Sequence, residues 1–203
     1  MINVIYMIIG LTGTMASGKD AVADILKKRG YIYLSLSDEV REEAKNRNIE
    51  VTRENLQALG NEMRKNEGAG ILAQRVLMKI TDPQKNYVIN GIRNPAEVAE
   101  LKNWPSFYLI SVDAPQQMRF QRMMTRNRPS DPKLFYMFMK ADNKDQGIGE
   151  EESGQQVASC MKLADVSIFN DFSLERLIDK VNFMVQQIQN KDLVTRGSFS
   201  STN

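Results

Sequence analysis

The sequence contains no histidine and a single cysteine, Cys160, among its 203 residues. Without histidine, the chain cannot form a His-based catalytic triad or a typical zinc site. One cysteine cannot form a disulfide within the chain, and we therefore expect a protein of the reducing cytoplasm. Three common kinds of site are thus excluded before any motif is considered.

The chain also lacks a strong excess of either charge. Lys and Arg number 27 against 25 Asp and Glu, a net charge of +2. No global field draws such a chain to nucleic acid or to an acidic membrane, so we expect neither as a partner. The apolar run at 1–11 lacks a basic leader and is too short to span a bilayer. Any basic site must be local, and nothing in the sequence indicates the oligomeric state.

Strand-like and helix-like segments alternate along the chain. Apolar runs predict strands at 4–9, 31–36, 87–89, 107–112 and 166–169, with helical patterns between them. The alternation predicts an α/β fold of three layers, with a parallel sheet of about five strands and helices on both faces. We expect one domain over 1–190 and a disordered, Ser/Thr-rich tail over 191–203.

Helix boundaries are indicated by capping residues. Ser37 is expected to cap a helix that ends near Arg47, and Thr52 to open one that runs towards Glu67. Asn94 followed by Pro95 predicts the start of another helix. Further helices are expected at 71–80, after Pro115 and around 174–184.

A glycine-rich segment directly follows the first strand. It fits the pattern G-x-x-x-x-G-K and precedes a helical pattern, and its residues are Gly13, Thr14, Met15, Ala16, Ser17, Gly18, Lys19 and Asp20. Glycine lets successive backbone N–H groups converge on phosphate oxygens, and the helix N-terminus adds its positive end. Lys19 supplies a point charge for the β- and γ-phosphates of a nucleotide. The segment predicts a phosphate-binding loop.

Asp20 departs from the usual pattern, which has Ser or Thr at this position to ligate Mg²⁺. A carboxylate there can bind the metal directly, act through a water molecule or cap the helix. The sequence leaves these three roles open.

Four segments, in this order, resemble the dephospho-CoA-kinase-like and nucleoside-monophosphate-kinase-like P-loop proteins, and in particular an archaeal and bacterial branch of that group. They are the loop at 13–20 and the segments 37–44, 91–94 and 128–132, and the resemblance covers about residues 3–188. It implies a kinase that uses ATP and Mg²⁺. The expected acceptor is a nucleoside or deoxynucleoside monophosphate; dephospho-CoA is the alternative, and a regulatory ATP-binding protein or ATPase is an alternative of another class.

The resemblance also implies an acceptor site. Asp38 and Arg41 lie one helical turn apart in the segment that lines this site in the resembled kinases, where the arginine grips the acceptor phosphate. Arg64 and Arg93 are further candidates, and Arg93 is favoured because it follows a strand at the edge where ligands collect. Asn90 replaces the Asp common in the related branch, which weakens any assignment of a general base.

A basic stripe precedes the expected lid. Arg119, Arg122 and Arg126 recur on one helix face, and Arg128 follows. In the resembled kinases such arginines close over the transferring phosphoryl group, so we expect Arg122 and Arg126 to be catalytic, and a lid at about 129–155. The acidic residues of that segment could pair with lid arginines in an open state, but solvated surface is the favoured expectation; they are Asp142, Asp145, Glu150, Glu151 and Glu152.

Overall fold

A five-stranded parallel sheet forms the centre of the protein in the computed structural model, which describes residues 6–104, 106–128, 131–171 and 173–197. For 191–197 the backbone alone is described. The strand order is β2-β3-β1-β4-β5, and every neighbouring pair is parallel. The predicted three-layer α/β fold is confirmed.

Strands and helices alternate along these described residues. The strands are β1 (Ile8–Gly13), β2 (Ile32–Ser35), β3 (Tyr87–Asn90), β4 (Phe107–Asp113) and β5 (Val166–Phe169). The helices are α1 (Lys19–Lys28), α2 (Leu36–Asn46), α3 (Arg53–Glu67), α4 (Ile71–Met78), α5 (Pro95–Lys102), α6 (Gln116–Arg126), α7 (Phe135–Gln146), α8 (Val157–Lys162) and α9 (Leu174–Gly197).

The central strand continues beyond the position at which the sequence predicted its end. β1 runs through Gly10 to Gly13, because it pairs with β3 on one side and β4 on the other. A Cβ at Gly10 would lie 2.6 Å from Cδ1 of Ile92 and 2.7 Å from Cζ of Phe107. Gly10 is therefore a close-packing position within the strand rather than its end. Residues 4 and 5 of the predicted strand lie outside the described residues.

Alternate side chains of β1 enter two hydrophobic cores. Ile9 and Leu11 pack with α1 and α9 on one face, whereas Ile8 packs with α2 to α5 on the other. Burial on both faces explains why this strand is continuously apolar rather than alternating. The two cores hold the carboxyl ends of the strands at one edge of the sheet, and the polar segments meet there.

Two of the three predicted caps are present. The Thr52 side chain accepts the N–H of Asn55, and Asn94 forms a capping box with Glu97. The prediction for Ser37 was wrong, because α2 begins at Leu36 directly after β2, with Ser35 at the N-cap position. The helix therefore begins two residues earlier than predicted, and its first residue, Leu36, is buried in the core.

The predicted lid segment contains a helix that the sequence analysis did not identify, α7, and α8 follows it. At the other end, α9 continues to Gly197 with no earlier glycine or proline to end it, whereas the sequence led us to expect a disordered tail from 191. Residues 198–203 lie outside the described residues. No helix among the described residues is both long enough and apolar enough to cross a membrane.

Candidate functional site

The turn between β1 and α1 wraps residues 13–20 around the start of a helix. Gly13 has a φ of +141°, and a Cβ there would lie 1.9 Å from the Val112 carbonyl oxygen. Ala16 adopts a left-handed φ of +58°, a conformation that costs a non-glycine residue energy. Because α1 begins at Lys19, the N–H groups of its first turn have no acceptor within the helix and face the loop.

Lys19 is held inside this loop. Its Nζ donates to the carbonyl oxygens of Gly13 and Thr14, each at 2.7 Å. Burial, helped by the positive charge of Arg93 and opposed by Asp145, lowers the pKa of Lys19 from 10.5 to about 8. The ammonium is thus poorly compensated, and bound phosphate would stabilise its charge.

Two side-chain hydrogen bonds connect the loop to the ends of neighbouring strands. Thr14 Oγ1 donates to Oδ1 of Asp113 at the end of β4, at 2.6 Å. Asn170, which follows β5, donates from Nδ2 to the Ser17 carbonyl oxygen at 2.8 Å. The loop is therefore attached to the ends of two strands, which keeps its shape before any ligand arrives.

Asp20 is tied to the ends of two other segments. Its Oδ1 accepts a hydrogen bond from Asn90 Nδ2 at 3.0 Å, and its Oδ2 accepts one from Arg128 at 3.2 Å. Burial opposes ionisation, but these two hydrogen bonds more than offset it and hold the pKa of Asp20 below its usual value. Of the three roles left open by the sequence, a side-chain helix cap has no support, since α1 has no such hydrogen bond.

The residues around Asp20 fit a magnesium ion shared with a nucleotide. Oδ1 of Asn90 is buried and has no hydrogen-bond partner, and it belongs to the same side chain that contacts Asp20. Mg²⁺ in nucleotide sites is usually held by one or two protein oxygens together with phosphates and water. No group of three or more acidic or cysteine side chains suited to a metal occurs among the described residues. A metal here would therefore depend on the nucleotide for further ligands.

The loop opens into a cleft of about 740 Å³ at the carboxyl edge of the sheet. The cleft is strongly cationic. Its cationic side chains are Lys19, Arg41, Arg53, Arg64, Arg93, Arg122, Arg126 and Arg128, whereas Asp20 and Asp145 are the carboxylates among the described lining residues. Although the net charge of the chain is only +2, positive charge is concentrated in this cleft, which is suited to two anionic ligands.

The predicted Asp38–Arg41 pair forms at the rim of this cleft. Arg41 Nη1 lies 2.5 Å from Oδ1 of Asp38, and both side chains are half-exposed or more. Arg41 lines the cleft, whereas Asp38 does not and contacts it only through the arginine. The pair is one helical turn apart, as its spacing predicted.

Arg64 and Arg93 are joined by one buried carboxylate. Glu97 Oε1 receives Nε and Nη2 of Arg64, each at 2.8 Å. Its Oε2 accepts the backbone N–H groups of Arg93 and Asn94 at 2.8 and 3.0 Å. Glu97 thereby holds the guanidinium of Arg64 and the backbone of Arg93, and the sequence analysis did not identify this residue.

Arg122 and Arg126 lie on α6, which precedes the predicted lid segment. Arg122 donates to the carbonyl oxygens of Ser17 and Asn170 at 3.2 and 3.0 Å, which places it against the loop. Arg126 forms a two-bond pair with Asp131 at 2.7 and 2.9 Å. Both line the cleft.

Arg119 does not share the environment of the other stripe members. It is buried, with two bonds of 2.6 and 2.9 Å to Asp142 and one of 3.1 Å to the Met15 carbonyl oxygen. The expectation that Asp142 and Asp145 are solvated was wrong, because α7 turns both carboxylates inward towards arginines of other elements. Sequence spacing does not reveal pairs between distant segments.

Three cleft residues were not identified from the sequence. Arg53 and Gln57 lie one turn apart on α3, and Asp145 lies on α7. The periodicity of α3 places Arg53, Gln57 and Arg64 near one face, and this signal could have identified the first two. No local pattern distinguishes Asp145 from a surface aspartate.

The sequence matches a known protein family and several individual relatives. Residues 9–148 match the family described as an AAA domain, AAA_18. A UPF0200 protein of Pyrococcus horikoshii is 32% identical over 188 residues, which cover 90% of this chain and 97% of that protein. A UPF0200 protein of Hyperthermus butylicus is 32% identical over 170 residues, covering 83% and 88%.

Solved structures share the architecture. A shikimate kinase from Acinetobacter baumannii in complex with shikimate aligns with a TM-score of 0.56 at 17% identity, over 93% of this chain and 96% of that one. A gluconokinase from Sinorhizobium meliloti aligns with a TM-score of 0.52 at 12% identity, over 92% and 96%. At these identities the likeness shows the fold alone, which is that of P-loop kinases.

Proposed function

This chain belongs to the UPF0200 proteins and to the AAA_18 family, and from that premise we propose that it is an ATP-dependent kinase of a small molecule. The acceptor we propose is a nucleoside or deoxynucleoside monophosphate. One observation carries the proposal: a single cleft contains the phosphate loop with Lys19 and also a group of arginines supplied by other elements. Two anionic substrates placed end to end match this distribution of charge.

The donor side consists of the loop at 13–20. Its backbone N–H groups and the N-terminus of α1 hold the phosphates of ATP, and Lys19 contacts the β- and γ-phosphates. Asp20 and Asn90 would hold Mg²⁺, which neutralises phosphate charge when bound. The unpartnered Oδ1 of Asn90 and the low pKa of Asp20 support this assignment.

The acceptor side consists of Arg41, Arg64 and Arg93, with Asp38 as the residue that orients Arg41. A guanidinium binds a phosphate through two parallel hydrogen bonds, which fixes the direction of the acceptor as well as its charge. Alignment of the acceptor with the γ-phosphate supplies much of the catalysis in phosphoryl transfer. Arg64 mainly shapes the wall of the acceptor site, because its guanidinium is already bound by Glu97.

Transfer itself relies on charge stabilisation. Lys19, Arg122 and Arg126 stabilise the negative charge that develops on the transferring group. The segment 129–155 acts as a lid that excludes water, so that ATP is not hydrolysed without an acceptor. The contact of Arg122 with the Ser17 carbonyl oxygen supports a place for it beside the phosphates.

The proposal is tested by ADP release at saturating Mg-ATP, with ribo- and deoxynucleoside monophosphates and dephospho-CoA as acceptors. We expect a large acceptor-dependent rate with one monophosphate and none with the Lys19→Ala variant, which should keep its fold. A rate with dephospho-CoA alone would establish that compound as the acceptor instead. A uniformly low rate together with measurable ATP binding would favour the regulatory ATPase.

A further inference from the structure

Asp145 stands between two arginines of the cleft. It lies on α7, and its side chain is 8% exposed. Arg53 Nη2 reaches both of its oxygens at 3.4 Å, and Arg93 Nη1 reaches Oδ1 at 3.4 Å. The two guanidiniums come from α3 and from the segment after β3, and this carboxylate is their common anion.

Asp145 lies farther from its arginine partners than Asp142, the aspartate one turn earlier on α7, lies from Arg119. Asp142, one turn earlier on α7, binds Arg119 at 2.6 and 2.9 Å, within the usual range for charge-assisted hydrogen bonds. Asp145 reaches neither of its arginines closer than 3.4 Å. Asp145 therefore forms only long contacts with both Arg53 and Arg93.

A third donor lines the same cleft. Nε2 of Gln57, one turn after Arg53 on α3, is buried and has no hydrogen-bond partner. A buried donor without a partner is unfavourable, and an acceptor atom of a ligand would remove that penalty. The cleft thus contains two guanidiniums that Asp145 contacts only at 3.4 Å and an amide N–H without a partner.

We propose that Arg53, Arg93 and Gln57 form an oxyanion site for a phosphate monoester, and that Asp145 is an internal competitor which the ligand displaces. A tetrahedral group with three free oxygens offers each donor its own oxygen. The assignment rests on the proposed function in taking this side of the cleft as the acceptor side. It adds Arg53, Gln57 and Asp145 to that site.

Displacement of Asp145 requires only a side-chain rotation. Asp142 anchors α7 through Arg119, and Gln146 also donates to Asp142 at 2.9 Å, so the residues before and after Asp145 are fixed. The anchored helix returns the carboxylate to the two arginines when the anion leaves. The competitor is thereby always present at high local concentration.

The test is calorimetric binding of inorganic phosphate to the full chain, saturated with Mg²⁺ and a non-hydrolysable ATP analogue so that the loop is filled. We expect Asp145→Asn to bind phosphate about tenfold more tightly than the wild type, since a competing charge is removed. Asp145→Ser serves as a second variant, with circular dichroism to confirm the fold of each. Asp24→Asn, which removes an exposed carboxylate of α1, should change nothing.

Two further results decide the assignment. Arg53→Gln in the Asp145→Asn background should abolish the gain in phosphate affinity. Unchanged or weaker phosphate binding in both Asp145 variants would overturn the proposal, because Asp145 would then orient the arginines rather than compete for them. If ADP release fails with every monophosphate while Asp145→Asn still gains phosphate affinity, the proposed function fails and the oxyanion site stands.

Discussion

Asn90 donates a hydrogen bond from Nδ2 to Oδ1 of Asp20 at 3.0 Å, which joins the end of β3 to the first turn of α1. Each residue departs from the pattern expected of its position, and the structure brings the two departures into contact. The helix has a carboxylate, Asp20, where Ser or Thr is usual, and the strand has an amide, Asn90, where Asp is common in the resembled branch. The pair therefore has one negative charge and not two. Two carboxylates at this distance would repel each other.

Asp20→Asn should raise the Mg²⁺ concentration needed for half-maximal activity by about tenfold or more, because the variant removes the charge that we assign to the metal. The measurement is ADP release against Mg²⁺ at saturating ATP. Arg128→Gln is the matched control: it removes the other partner of Asp20 and leaves the carboxylate free, so it should not raise the Mg²⁺ requirement. An unchanged requirement in Asp20→Asn would show that this carboxylate only anchors Arg128.

Nucleotide affinity should fall as the pH rises through about 8, the pKa of Lys19, since the free protein loses this charge there. Bound phosphates restore the charge, so nucleotide binding above that pH takes up a proton, which calorimetry in buffers of different ionisation enthalpy detects. Arg93→Gln removes a positive neighbour and should move the fall in affinity to higher pH. Affinity that is constant across this range would contradict the low pKa.

The same pKa affects stability. The unfolded state holds the Lys19 proton up to about 10.5, so between about 8 and 10.5 it binds more protons than the folded state. This group therefore destabilises the fold fully below pH 8, and the penalty is relieved as the pH rises towards 10.5. Urea unfolding of the wild type should show this rise relative to Lys19→Ala, and identical pH dependence in the two proteins would contradict it.

Arg41→Ala should raise the KM for the acceptor by about three- to tenfold and leave the KM for ATP unchanged, because Arg41 lines the cleft from α2 and is assigned to the acceptor. The measurement is initial rate against each substrate in turn. Asp38→Asn should have a smaller effect of the same kind, since it loosens Arg41 without removing it. An effect confined to ATP would place Arg41 on the donor side.

Asp142→Ala should lower the free energy of unfolding by about 3–5 kcal/mol, because it leaves the buried Arg119 guanidinium without its counter-ion. Urea denaturation monitored by circular dichroism measures the loss. The double variant Arg119→Met with Asp142→Leu should recover part of the stability, since it removes the charge together with its partner. A loss below about 1 kcal/mol, the value typical of exposed pairs, would contradict the buried pairing.

Local signals predicted the local features well. The capping residues Thr52 and Asn94 lie where their chemistry placed them, because a cap acts within four residues of chain. Ser37 failed as a cap since Leu36, its neighbour, enters the core, and a capping preference of about 1 kcal/mol is comparable to what burial of a large apolar side chain contributes.

The sequence by itself determined the α/β class, the parallel sheet and the phosphate loop, because periodicity and glycine spacing act over short stretches of chain. Only the tertiary structure decided which charges face the cleft. Asp145 and Arg53 are 92 residues apart, and Asp142 and Arg119 are 23 apart. Burial of these charged side chains depends on partners from other elements. The local sequence around an aspartate does not indicate which distant arginine pairs with it in the fold.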